Sequence, residues 1–176
     1  MNRRKFNTIA SLSSFGILKA NTGQIPLNMP HQYNLNYAPH LGMFKASAGN
    51  DPIDQLNFMA DQGFRSFEDN DMRTRSVKLQ EKMSLTMQQR NLKMGVFVAH
   101  DIAWKRPNLA SGDLDEQNAF LMQIKASIEV AKRVNAKWMT VVPGLKDFRK
   151  NIEYQTVNVI NTLKKACDIL EPHGLI

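Results

Sequence analysis

The pair His100-Asp101 ends the apolar run Val96-Phe97-Val98-Ala99. A short run of this kind predicts a buried strand, so the polar pair stands at the strand's end. An imidazole in that place can bind a sugar hydroxyl or a metal ion, because its neutral nitrogens are good ligands and it titrates near neutral pH. Asp101 is a candidate to orient the ring, although adjacent residues of an extended backbone point to opposite faces.

Two more polar side chains stand near the ends of predicted strands. Glu68 follows the run 64–67, and His40 lies near the end of the run 35–42. In a parallel sheet these ends meet at one edge, where α/β proteins carry out their chemistry. Structural interpretations stay open for both, with His40 as a hydrogen-bonded core histidine and Glu68 as a loop carboxylate beside a helix cap at Asp71.

The elements that position these side chains form a repeating unit of a strand, a loop and an amphipathic helix. The predicted strands are 35–42, 64–67, 94–99 and 138–142, and 175–176 begin a fifth. The predicted helices begin near Asp51, Arg73, Asp113 and Glu153. Asp51 before Pro52 is typical of a helix start, and Asp113 with Glu116 resembles a capping box.

Strands that alternate with helices predict right-handed crossovers and a parallel sheet, as either an open doubly wound sheet or a closed barrel. No G-x-G-x-x-G or G-x-x-x-x-G-K-[ST] loop follows a strand, which favours the barrel. A barrel needs eight units and about 250 residues. We therefore expect an α/β fold made of the first four βα units of a (β/α)8 TIM barrel, truncated at the start of strand 5.

The charge of the chain gives little support for nucleic-acid binding. The 176 residues carry a net charge of +7. Residues 1–23 hold four basic residues and no acidic one, and the remainder has 19 basic against 16 acidic side chains, a net of +3. These positive residues lie among acidic ones on predicted helices, which is typical of solvated helix faces.

The single cysteine, Cys167, excludes an internal disulfide. It falls on a predicted apolar helix face with Val157, Ile160, Leu163 and Leu170, so we expect it to be buried.

The first 23 residues resemble an export leader. Arg3, Arg4 and Phe6 precede a short apolar stretch, as in a twin-arginine signal. That stretch is too short to span a bilayer. We expect a leader at 1–23, a linker at 24–34, a barrel half at 35–176 and a periplasmic location, with a basic N-terminus and a cytoplasmic location as the alternative.

Five segments together resemble the xylose-isomerase-like TIM-barrel superfamily, in its hydroxypyruvate-isomerase-like and sugar-phosphate isomerase/epimerase branch. They are YAPHLGMF (37–44), DQGFRSFEDND (61–71), RNLKMGVFVAHD (90–101), VAKRVNAKWMTVVPG (130–144) and LKKACDILEPHGLI (163–176). Their order and spacing carry the resemblance, which covers nearly everything after the linker.

The resemblance implies a metal-assisted isomerisation or epimerisation of a small carbohydrate or hydroxy-keto acid through an enediolate. In this branch a divalent ion stabilises the oxyanion and carboxylates move the proton. The family's metal-binding and catalytic carboxylates follow strands five to eight, so we expect them beyond Ile176 and expect this chain to be inactive and to bind no divalent metal tightly. The residues that carry over as substrate-binding are His100, Glu68, His40 and Phe44.

Two alternatives come with the resemblance. The superfamily includes metal-dependent endonucleases that cleave DNA at abasic sites, with metal-ligating histidines after the third and fourth strands. His100 matches the first histidine, but Pro143-Gly144 does not supply the second, and the low charge outside the leader argues against nucleic acid. The other alternative is a non-catalytic half barrel that self-associates through its open sheet edge.

Overall fold

The computed structural model describes residues 31–176. The predicted leader at 1–23 and most of the linker at 24–34 lie outside this range, so export stays a prediction. Within the described range, no helix combines the length and the apolar character needed to cross a membrane.

The strands are short, parallel and paired in chain order. They are β1 (Ser66–Phe67), β2 (Lys93–Met94), β3 (Val96–Val98) and β4 (Trp138–Thr140). β1 pairs with β2, and β3 pairs with β4 with Phe97 opposite Met139. Ile176 pairs with β4 and the residue before it, in the place predicted for the start of a fifth strand. Its N–H donates to the Lys137 carbonyl at 3.0 Å, and its carbonyl accepts from the Met139 N–H at 2.8 Å.

The predicted first strand, 35–42, is wrong in its length. Only His40 pairs with its neighbour, in a parallel bridge to Glu68. The bridge is held by hydrogen bonds of Glu68 N–H to the Pro39 carbonyl at 3.1 Å and of Leu41 N–H to the Glu68 carbonyl at 2.8 Å. Pro39 has no N–H to donate, so a regular ladder cannot continue through this segment.

The predicted third strand, 94–99, is interrupted at Gly95, which separates β2 from β3. The Gly95 N–H donates to the Phe67 carbonyl at 2.7 Å, and a Cβ at this position would lie 3.0 Å from that same oxygen. Any other residue would push the neighbouring strand away, so glycine allows the close approach. The Asp69 N–H donates to the Val96 carbonyl at 3.2 Å and joins the two strand pairs across the interruption.

In the part of the chain that the structure describes, five α-helices follow the strands and loops. They are α1 (Lys45–Ala48), α2 (Pro52–Asp61), α3 (Val77–Arg90), α4 (Leu114–Val134) and α5 (Ile152–Leu170). The predicted caps are confirmed, because Asp51 accepts from the Ile53 N–H and Asp113 accepts from the N–H groups of Asp115 and Glu116.

The second predicted helix starts later than Arg73. Residues Met72–Thr74 form a 3-10 turn, and α3 begins after Ser76, whose hydroxyl accepts from the Leu79 N–H. The turn is imposed by the buried carboxylate of Asp69, which binds Arg75. Local helical periodicity does not reveal this contact, so the helix start was predicted four residues too early.

The long helices form one continuous layer, in which α2 packs on α3, α3 on α4 and α4 on α5. A doubly wound sheet places helices on both faces, so successive helices would not all be neighbours. The single layer over a parallel sheet is the arrangement of a barrel wall.

The core lies between this helix layer and the sheet. Its largest fully buried side chains include Phe67 and Phe97 from the strands, with Leu56, Met83 and Ile124 from the helices. Burying such side chains contributes roughly 1.5–3 kcal/mol each.

The predicted burial of Cys167 is wrong, because its side chain is exposed. The inward stripe of α5 instead contains Gln155, Thr162, Ala166 and Leu170.

Candidate functional site

A cleft of about 260 Å³ lies at the carboxyl ends of β1 and β3. Its lining includes Asn70, Arg73, His100, Asp101 and Trp104. Trp104 is 69% exposed. An aromatic surface beside charged and hydrogen-bonding groups is the composition expected of a site for a small polar ligand.

His100 is buried at the end of β3, with 3% of its surface exposed. Its Nδ1 lies 2.9 Å from the Asp101 carbonyl, and its Nε2 accepts from the Val142 N–H at 3.0 Å. An acceptor role for Nε2 places the proton of the neutral ring on Nδ1. Phe120 packs edge-on against the ring at 4.9 Å. The imidazole therefore joins the end of β3 to the segment after β4.

Burial lowers the pKa of His100 below its ordinary value, and the nearby positive charge of Arg73 acts in the same direction. The hydrogen bond to the Asp101 carbonyl and the Asp101 carboxylate oppose this shift. The ring is therefore neutral at neutral pH, and both nitrogens are engaged by the backbone. Its predicted role in substrate binding stays a prediction, and to bind a metal the ring would have to give up one of these bonds.

His40 repeats this arrangement one strand pair earlier. Its Nδ1 lies 2.7 Å from the Leu41 carbonyl, and its Nε2 accepts from the Asn70 N–H at a longer 3.4 Å. The ring joins the bridge segment 39–41 to the loop after β1. Each of the two histidines thus contacts the carbonyl of the next residue and an N–H beyond the neighbouring strand.

The other two predicted substrate-binding residues lie apart from the cleft lining. Glu68 is half-buried, and its backbone bridges to His40. Phe44 is half-buried between the rings of Phe58 and Phe64, at centroid distances of 5.2 and 5.8 Å. Their predicted roles stay untested, and of the four predicted residues only His100 lies in the cleft wall.

The loop after β1 is held by a buried ion pair. Arg75 donates to both carboxylate oxygens of Asp69, at 2.5 and 3.0 Å, and the Asp69 side chain is 1% exposed. This contact raises the pKa of Arg75 further above its ordinary value. The paired charges fix the 3-10 turn and with it the backbone of Arg73.

A repeat missed in the sequence analysis also fixes these loops. Each of the four longer helices has a glutamine four residues after its N-cap, in the segments 51–55, 76–80, 113–117 and 151–155. In the sequence, this repeat is visible as a glutamine four residues after a capping Asp, Ser or Asn.

Three of these glutamines are buried and bind the loop that precedes their own helix. Gln55 accepts from the Gly42 N–H and donates to the Gly49 carbonyl. Gln80 donates to the carbonyls of Met72 and Arg75. Gln155 accepts from the Asp147 N–H and donates to carbonyls at 147, 150 and 151. The fourth, Gln117, instead donates to Thr162.

The described residues do not fit a divalent metal. Within 31–176, no three His, Cys, Asp or Glu side chains come together to form a metal site. The nitrogens of both strand-end histidines are occupied by backbone groups.

Solved structures with this arrangement include a family 2 AP endonuclease from Brucella melitensis, with a TM-score of 0.61, 17% identity and coverage of 84% of this chain and 53% of the other. D-psicose 3-epimerase from Clostridium cellulolyticum H10, solved with D-tagatose, gives a TM-score of 0.61 at 11% identity over 80% of this chain and 50% of its own. A D-psicose 3-epimerase with D-fructose gives 0.57 at 11% identity over 84% and 50%. The described residues therefore have the fold of about half of a TIM barrel.

No protein-family model matches the sequence, and no curated protein matches it. The chain spans about half the length of the solved structures it matches. The cleft at the carboxyl ends of β1 and β3 lies on the face where TIM barrels bind their substrates.

Proposed function

We propose that residues 31–176 form the substrate-binding half of a barrel that isomerises or epimerises a small sugar or hydroxy-keto acid, in the manner of hydroxypyruvate isomerase. The observation that carries the proposal is the polar cleft with an exposed tryptophan at the carboxyl ends of the parallel strands. Solved epimerases of the same fold support the substrate class.

In this proposal the described residues bind and orient the substrate, while proton transfer through an enediolate belongs to carboxylates beyond Ile176. Trp104 offers an apolar face to the carbon side of a sugar. His100 holds the segments after β3 and β4 at a fixed separation, through its bonds at 2.9 and 3.0 Å. Such positioning lowers the entropic cost of reaching a reactive geometry.

The metal dependence of the whole reaction is part of the same proposal, with its ligands outside the described residues. We expect calorimetric titration of the chain with Mn²⁺, Mg²⁺ and Zn²⁺ to show no tight site. A tight site removed by His100→Gln would contradict this and would make His100 a ligand.

Ligand binding tests the proposal directly. D-fructose and hydroxypyruvate are titrated into ¹⁵N-labelled chain, and we expect amide shifts at Val98, Asp101 and Trp104. The amides of Lys93 and Trp138, at the opposite ends of the strands, serve as internal controls. Shifts confined to those control positions, or no shifts with either compound, would refute the proposal. Isomer formation by this chain alone would refute its predicted inactivity.

Cleavage of abasic DNA is the second candidate, favoured by the solved AP endonuclease of this fold. The engaged nitrogens of His100 and the net charge of +3 outside residues 1–23 count against it. Incubation with a labelled abasic-site duplex and divalent metal separates the two functions. Nicking of the duplex without sugar binding would establish the endonuclease.

A further inference from the structure

Arg73 and Arg75 are two residues apart in the same loop, and their ion pairs differ in which partner is buried. Arg75 binds Asp69, whose side chain is 1% exposed, so the acid is the interior partner. Arg73 binds Asp101 through one oxygen, and here the arginine is the interior partner, with 17% of its side chain exposed against 72% for Asp101. The first pair is structural, and the second places a cation in the cleft wall.

The position of Arg73 is fixed independently of Asp101. Met72 beside it is fully buried, and the Met72 carbonyl accepts from Gln80 at 2.9 Å. The Arg75 carbonyl on the other side accepts from Gln80 at the same distance. The backbone of the turn therefore stays in place when the partner of Arg73 changes.

The carboxylate of Asp101 can move away from Arg73 without a change in the backbone. Its backbone is held from both sides, because the N–H donates to Gln123 Oε1 at 2.6 Å and the carbonyl contacts His100. Its side chain lies largely in solvent, and an ion pair with an exposed partner adds little to stability. A ligand carboxylate or phosphate that binds the guanidinium through two oxygens forms a stronger contact than this single one.

We infer that Arg73 is the recognition residue for an anionic group, a carboxylate or phosphate, on the small substrate of the cleft, and that Asp101 occupies its place when no ligand is bound. Asp71, which is exposed and also lines the cleft, adds repulsion that restricts binding to ligands able to displace Asp101. The inference rests on the proposed function and narrows its substrates from sugars and hydroxy-keto acids in general to the anionic ones, which are sugar acids, hydroxy-keto acids and sugar phosphates.

The test measures ligand binding by calorimetry and NMR. Its result can therefore be interpreted even if the chain shows no isomerase activity. The probes are hydroxypyruvate for the carboxylate, D-fructose 6-phosphate for the phosphate, and D-fructose as the neutral control. We expect one of the two anions to bind at least about ten-fold more tightly than D-fructose, the effect of one charge-assisted contact. Which anion binds more tightly distinguishes a sugar acid from a sugar phosphate.

Three variants separate specific from general electrostatic binding. Arg73→Met should weaken binding of that anion about ten-fold or more, and Asp101→Asn should tighten it several-fold because the competing carboxylate is gone. Lys93→Met removes an exposed cation at the opposite end of the strands and should change nothing. Unchanged anion binding in Arg73→Met, weaker binding in Asp101→Asn, or no preference for an anion in the wild type would each overturn the inference. Amide spectra that match the wild type show that each variant is folded.

Discussion

Asp69 is the acidic side chain whose removal should destabilise the chain most, because its carboxylate is buried and binds Arg75 through two hydrogen bonds. Replacing it with Asn leaves the guanidinium without a counter-charge. We expect Asp69→Asn to lower the free energy of unfolding by about 3 kcal/mol, measured by urea denaturation followed by circular dichroism.

Asp101→Asn is the matched control, since it also removes a carboxylate from an arginine but from an exposed position. Its expected effect is below about 1 kcal/mol. Equal losses in the two variants would show that the buried pair has no special structural role.

His100 should make stability depend on pH. Its pKa is lowered in the folded chain by burial, so the unfolded chain binds the proton more readily. The stabilisation is complete above the ordinary histidine pKa of about 6.5 and is lost as the pH falls through the lower folded value. We expect His100→Gln to flatten the decrease in unfolding free energy between about pH 7 and pH 5.

His173 provides the comparison, because it is exposed in the turn after α5. His173→Gln should keep the wild-type pH profile. If the decrease in unfolding free energy at low pH persisted in His100→Gln and disappeared in His173→Gln, the prediction for His100 would be wrong.

At the scale of the elements, a buried glutamine on each of three helices fixes the conformation of the loop that precedes that helix. The Gln155 side chain makes one bond to an N–H and bonds to three carbonyls between Asp147 and Asn151. A leucine there would leave buried polar groups without partners. We therefore expect Gln155→Leu to cost about 2 kcal/mol of unfolding free energy, measured by denaturant titration.

Gln117 is the internal control of this repeat. It has the same spacing from its cap but bonds to the side chains of Thr162 and Lys165 on α5. Gln117→Leu should cost under about 1 kcal/mol, because Lys165 is exposed and the buried Thr162 hydroxyl keeps its hydrogen bond to the Asn158 carbonyl at 2.8 Å. A larger loss in Gln117→Leu than in Gln155→Leu would contradict the role given to the loop contacts.

At the scale of the whole molecule, exposed apolar surface is concentrated in the last unit. Between residues 138 and 176 the exposed large side chains are Trp138, Leu145, Phe148, Ile152, Tyr154, Val157, Ile160 and Ile176. Exposed apolar side chains in this number favour association when they lie together on one surface. We expect concentration-dependent self-association in sedimentation velocity, reduced by the double substitution Val157→Glu and Ile160→Glu.

Leu85→Glu serves as the control for that experiment, because Leu85 is 54% exposed on α3, away from the last unit. It should leave the sedimentation profile unchanged. A monomer at every concentration would contradict the predicted self-association, and equal effects of both changes would show that added charge alone is responsible.

The barrel wall was predictable because its signals are local. Asp51 and Asp113 form caps that depend only on residues two or three positions away. The errors arose where distant contacts decide the structure. The start of α3 depends on the buried Asp69–Arg75 pair. Cys167 is exposed because Gln155 and Thr162 take inward positions to satisfy hydrogen bonds, a preference that hydrophobic periodicity cannot register.

The sequence predicted where the candidate site lies better than it predicted the contacts that its side chains make. The rule that strand ends meet placed His100 at the cleft, as the structure has it. The rule could not show that both of its nitrogens are bound to the backbone, because Val142 lies 42 residues further along the chain. Arg73 was placed on a helix, so its position in the cleft wall was missed.

The interruption at Gly95 divides the sheet into two crossover units, β1-α3-β2 and β3-α4-β4, each with its own strand pair. Few backbone bonds join them, from the N–H groups of Gly95 and Asp69. Under native conditions, the amide protons of the two units should therefore exchange with solvent as separate cooperative groups, with distinct opening free energies. The described residues would then unfold as two separate units, each a quarter of a barrel, that meet along the interruption at Gly95.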